Sequence, residues 1–169
     1  RDDANKTMLG AWQKEWLQRE LLAAKGRFPL TFIVSSVAWI SNETKQRDNW
    51  GRYTTERAEL SNWMVENGIK GVCFLGGDAH MLAADDGRNN IYAKNGGPNF
   101  PALQAGPLDR SGSLKGGPWS VTPVLPREGE GQFGLVRIED FGSSLHVLFR
   151  GLNEAGEEKL RYEFDIVVP

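Results

Sequence analysis

The order of hydrophobic patterns predicts an α/β fold followed by an antiparallel β-meander. Three observations carry this. An amphipathic helical stretch precedes a short apolar run, and the pair then repeats as a second helix and a second apolar run. The two runs, 30–34 and 72–75, are continuously apolar, as strands covered on both faces of a parallel sheet are. Beyond residue 131 the period changes to alternation in three consecutive segments. Helix, strand, helix, strand in that order argues for helices layered on a sheet. With 169 residues the chain has enough material for one cored domain and too little for two, so 1–169 is read as a single domain.

The first helix is expected over 8–25. Leu9, Trp12, Trp16, Leu17, Leu21 and Leu22 recur at helical spacing, with Gln13, Lys14, Gln18, Arg19 and Glu20 opposite them. Gly26 and then Pro29 supply the stop. The strand 30–34 runs out into Ser35 and Ser36, small polar residues at its carboxyl end. Residues 41–53 read as an exposed polar loop. A second helix spans about 54–67, with Thr54 or Thr55 as N-cap, an inward face of Leu60, Trp63, Met64 and Val65, and Gly68 to close it. The strand 72–75 leads into Gly76-Gly77-Asp78-Ala79-His80. From 87 to 131 the chain is crowded with Gly, Pro and Asn and lacks periodicity, which reads as a long functional or wrapping loop region. The segments 133–138, 144–150 and 160–167 alternate, and turn-like residues separate them.

Composition narrows the function classes. A net charge of -2 with no basic stripe gives no nucleic-acid-binding patch. No apolar run of about 18 residues exists, so no membrane span is expected, and no signal-peptide pattern is present. The chain starts at Arg1 rather than methionine, which reads as the loss of an upstream segment. The single cysteine, Cys73, cannot form an intrachain disulfide and sits in an apolar run, so it is expected to be an inert core residue.

Chemistry concentrates at Asp78 and His80. At the carboxyl end of a strand both would stand where α/β proteins place their sites. A carboxylate and an imidazole two residues apart can share a metal or each reach one of a pair. The preceding glycines would let the backbone turn tightly. A carboxylate at a strand end is also an ordinary turn or cap residue, so both readings stand at this level.

A wider resemblance enters here. Met8-Leu9-Gly10 through Trp16-Leu17, Phe32-Ile33-Val34-Ser35-Ser36-Val37-Ala38-Trp39, Asn49-Trp50-Gly51-Arg52-Tyr53 with Glu56-Arg57, and Gly77-Asp78-Ala79-His80 resemble the later half of the PhoD-like alkaline phosphatase/phosphodiesterase family. They occur in the family's order across 8–86, and it is the combination that is specific. The resemblance implies a calcineurin-like metallophosphoesterase, with two central sheets between helices in a four-layer sandwich. It implies hydrolysis of phosphate mono- or diesters by metal-bound hydroxide, with Asp78 and His80 as ligands to different metals, iron with calcium. It also implies a secreted or periplasmic address. Ser36 stands where the wider superfamily often has a metal-binding histidine, and it is given no role beyond lining the site. The aspartate-containing and asparagine-histidine motifs that complete the cluster should precede this segment, and Asp2 and Asp3 lie too near the start to replace them. This chain is therefore expected to carry part of an active site, and to pair with the missing N-terminal half of its domain or self-associate.

Other residues receive plainer readings. Trp39, Trp50 and Tyr53 are expected to pack rather than wall a pocket. Arg52 and Arg57 offer charge for a phosphate, but Arg57 lies in a helical pattern and reads as a surface or ion-pair residue. Asp85 and Asp86 offer calcium oxygens, with a solvated turn the preferred reading. His146 is read as structural. Lys115-Gly116-Gly117-Pro118 lacks the spacing of a phosphate-binding P-loop. The alternative to an enzyme is a non-catalytic fragment or binding module that uses a Trp/Gly/Pro-rich surface.

Overall fold

The computed structural model of the chain describes residue 2 and residues 5–44 and 48–168. Among these, helices α1 (Gly10–Ala24) and α2 (Thr54–Glu66) alternate with β1 (Thr31–Ser35) and β2 (Val72–Gly76). Then follow β3 (Leu82–Asp85), β4 (Ala102–Gln104), β5 (Val121–Val124), β6 (Gln132–Asp140), β7 (Ser144–Asn153) and β8 (Glu158–Val167). One sheet has the order β1-β2-β4-β3-β5. Its strands β1, β2 and β4 are parallel, while β3 pairs antiparallel with both β4 and β5. The predicted meander is present as a second, antiparallel sheet β6-β7-β8.

Packing orders these elements into three layers. On one face of the five-stranded sheet, Val72, Phe74 and Ala102 meet Leu21 of α1, Leu60 and Met64 of α2, and Trp39 and Trp50 between them. On the other face, Cys73, Leu82, Ala84 and Leu103 meet Phe149 and Leu160 of the second sheet. Strand β2 thus sends alternate side chains into two cores, as a continuous apolar run requires. The outer face of β7 and β8 carries paired charges, with His146 against Asp165 and Arg161 against Glu163.

Three expectations are revised. The first strand is not covered on both faces: β1 is a sheet edge, and Val34 is 77% exposed. Neither Thr54 nor Thr55 caps α2 with its own side chain. The carboxylate of Asp2 accepts hydrogen bonds from Thr54 N at 2.6 Å, Thr55 N at 3.2 Å and the Thr54 hydroxyl, so the cap comes from a distant part of the chain. Within 87–131, two short strands, β4 and β5, insert into the main sheet. No helix among the described residues is long and apolar enough to cross a membrane.

Candidate metal centre

The carboxyl end of β2 opens into a tight turn at Asp78-Ala79-His80. Ala79 is buried against Ala38, Met81 and Ala83, and its N–H donates to Gly77 O at 2.8 Å. With the middle residue directed inward, Asp78 is exposed and His80 half-buried. The glycine pair was expected to make the turn, but Asp78 and His80 make it themselves, with φ of 67° and 53°. Left-handed backbone at two non-glycine residues is uncommon and concentrates at functional sites. Gly76 answers a different need. A Cβ there would lie 2.5 Å from Oε1 of Gln104, a buried side chain whose Nε2 donates to Gly77 O at 2.7 Å. Gln104 therefore fixes the entry to the turn from the neighbouring parallel strand.

A strap formed by residues 111–117 holds the turn from outside. His80 Nδ1 lies 3.1 Å from Ser111 O. A carbonyl only accepts, so Nδ1 carries the proton, and in the neutral ring Nε2 presents the lone pair. Ser113 N donates to His80 O at 3.1 Å, and its hydroxyl donates to Ala79 O at 3.3 Å. Lys115 Nζ donates to Asp78 Oδ2 at 3.2 Å and to Asp78 O at 3.4 Å. Gln104, Ser111, Ser113 and Lys115 were not singled out as site residues from sequence. Their partners are backbone atoms or residues more than twenty positions away, which no local period records.

The donors suit a metal. An imidazole that gives one N–H to a carbonyl and offers the other nitrogen is the usual arrangement of a ligating histidine. With a carboxylate beside it, the pair matches borderline and hard cations. Among the described residues, however, no group of three or more His, Cys, Asp or Glu side chains is gathered closely enough to hold an ion. Asp78 and His80 fit as part of a cluster and not as a whole one.

The remaining residues sort mainly into scaffold. Ser36 is exposed, and its carbonyl lies 3.5 Å from the place a Cβ on Gly77 would take. Trp39 stacks on Phe74 at 4.4 Å and donates Nε1 to Asn90 at 2.9 Å, and Trp50 meets it edge-on at 4.8 Å. Both belong to the core, as expected, with Tyr53 packed at its margin. Arg52 is exposed. Arg57 overturns its surface reading: it is 3% exposed, and its Nη1 donates to Trp39 O, Ser41 O and the Ser41 hydroxyl. Its guanidinium also lies 3.6 Å over the ring of Tyr92, and burial lowers its pKa. Asp85 is no solvated turn either. It is fully buried and accepts from Gly87 N, Asn89 N, Asn89 Nδ2 and Ser120 N. Asp86 pairs with Arg88, whose hydrogen bonds hold the carboxyl below its ordinary range. His146 is tied to Asp165 in the second sheet at 2.8 Å. Cys73 is a core thiol pushed up to about 12 by burial. Asp2 is occupied as a helix cap, and Asp3 lies outside the described residues.

An open apolar groove of about 570 Å³ lies between α1 and β1, lined by Trp16, Leu17, Ile33, Val34 and Trp50 among others. Asp78 and His80 are not part of it.

A family model described as PhoD-like phosphatase matches residues 1–122. The chain is similar to the solved structure of PhoD, with a TM-score of 0.55 and 14% identity, across 92% of its own length. It spans only 36% of that PhoD chain. None of the curated proteins matches it by sequence. At 14% identity the structural likeness speaks for the fold, and the family rests on the match over 1–122. The chain belongs to the PhoD-like phosphatase family.

Proposed function

We propose that the complete protein hydrolyses phosphate mono- or diesters in a metal-dependent reaction, and that this chain contributes Asp78 and His80 to the metal-binding set. One observation carries the reading. A carboxylate and an imidazole with an available Nε2 stand two residues apart in left-handed backbone, at the carboxyl end of a parallel strand. Bound ions, iron with calcium on the family resemblance, would supply charge neutralisation at the phosphoryl oxygens and a lowered pKa for the attacking water. The chain's own residues do the holding. Ser111 O fixes the His80 tautomer, and Lys115 engages Oδ2 of Asp78. Gln104 keeps the turn at the strand end.

The other donors would come from outside these residues. We propose the same polypeptide as their source, with its further chain laid over the open edge of β1 and the apolar groove beside α1. The exposure of Val34 and Trp16, at 77% and 41%, supports this, as does the span of 36% of PhoD.

The test uses the full-length protein, its metal content and its hydrolysis of a chromogenic phosphate mono- and diester. His80→Ala is expected to lose bound metal and to lower turnover by at least about 100-fold, because a nitrogen that would bind the ion directly is removed. A His80→Ala protein with full metal content and wild-type turnover would refute the assignment.

A further inference from the structure

Lys115 is held beside Asp78 by backbone as well as by charge. Gly116 and Gly117, with φ of 77° and 89°, press the strap against residues 38–41. A Cβ on Gly116 would fall 2.6 Å from Ile40 O and 3.0 Å from the Ala38 side chain, and Gly117 N donates to Ile40 O at 2.8 Å. The backbone that carries Lys115 is therefore confined, and its side chain, 28% exposed, reaches the Asp78 carboxylate at 3.2 Å. An ammonium so placed has two electrostatic effects. It opposes the binding of a second cation at that carboxylate, and it attracts an anion that arrives there. A flexible point charge is the form in which lysine usually meets phosphate oxygens.

We propose that Lys115 is the substrate-binding cation of this site: it holds Asp78 through Oδ2 and turns to the phosphoryl oxygens of the ester when substrate enters. The proposal rests on the metal reading of Asp78 and His80 given above. It requires opposite responses to the loss of one charge, which a purely structural clamp would not produce.

The experiment compares wild type, Lys115→Met and Lys115→Arg in the full-length protein. Mn²⁺ affinity is measured from the electron paramagnetic resonance of the free ion, and inorganic phosphate affinity by calorimetry on the Mn²⁺-loaded protein. Lys115→Met is expected to bind Mn²⁺ on the order of tenfold more tightly and phosphate on the order of tenfold more weakly. Lys115→Arg is expected to return both toward wild type. If both affinities fall together in Lys115→Met, or neither moves, while wild type binds Mn²⁺, the role of Lys115 alone is overturned. If wild type takes up no Mn²⁺, the metal reading falls and the role of Lys115 falls with it.

Discussion

At Cys73 a thiol lies fully inside the contact between the two sheets, and its neighbours there are Leu82, Ala84, Leu103 and Phe149. Burial disfavours the thiolate and raises the pKa from 9.0 to about 12. The unfolded chain therefore releases the proton at a lower pH than the folded one. Stability from this group is intact below about pH 9 and is lost as pH rises toward 12. Between pH 8 and about pH 10.5, urea unfolding should show a Cys73 contribution of about 2 kcal/mol to the loss of stability, beside that of Tyr162, whose pKa burial also raises to about 12, and Cys73→Ala should remove the Cys73 part. The inert character of this residue was legible because its run is uniformly apolar. The place of Asp78 and His80 just beyond a strand end was legible for a related reason, since the apolar run stops there. Arg57 and Asp85 were misread because burial of a charge depends on partners such as Ser41 and Ser120 that pattern does not supply.

Helix α2 illustrates what an element-level reading misses. Its extent, 54–66, agrees with the expected 54–67, yet its cap is the carboxylate of Asp2. Burial raises the pKa of that carboxyl, but hydrogen bonds from the Thr54 hydroxyl and the Thr55 and Thr54 amides outweigh it and hold the group below the ordinary range. The cap's contribution is thus present above that range and lost as pH falls through the lowered value. Asp2→Ala should cost about 1 kcal/mol at neutral pH. The difference from wild type should vanish in strong acid, as thermal unfolding across pH would show. Helix α1 has a similar external tie: Glu56 of α2 accepts from Met8 N, from Leu9 N at 3.4 Å and from the Thr7 hydroxyl at 2.6 Å. Thus Glu56 and Arg57, adjacent in the family-like motif, serve the framework around the site. One fixes the start of α1, and the other fixes the 39–41 loop.

Across the whole chain, two interfaces of the main sheet differ in character. The second sheet covers one face, and its own outer surface is laced with ion pairs such as Arg150 with Glu158. On the helical side, α1 buries Leu21 but leaves Trp12 79% and Trp16 41% exposed, and Trp16 lies beside the edge of β1 that is unpaired among the described residues. The amphipathic pattern that predicts this helix is wider than the surface it meets among the described residues. If further chain covers that surface, as proposed, Val34→Asp in the full-length protein should cost about 2 kcal/mol in urea unfolding. An open edge would instead leave the substitution within about 0.5 kcal/mol of wild type. The opening helix-strand-helix-strand order and the meander were readable from period alone, while β3 was not expected. The insertion of β4 and β5 into the sheet was not either, because strands of three and four residues among Gly and Pro carry too little pattern. The left-handed backbone at Asp78 and His80 also has an energetic consequence. Glycine would occupy either position without the roughly 1 kcal/mol that such a conformation costs a residue bearing a Cβ. Asp78→Gly or His80→Gly would therefore ease the turn while removing a side chain that the proposed metal site needs. In the proposed role, the turn gives up that ease in exchange for two side chains able to hold an ion.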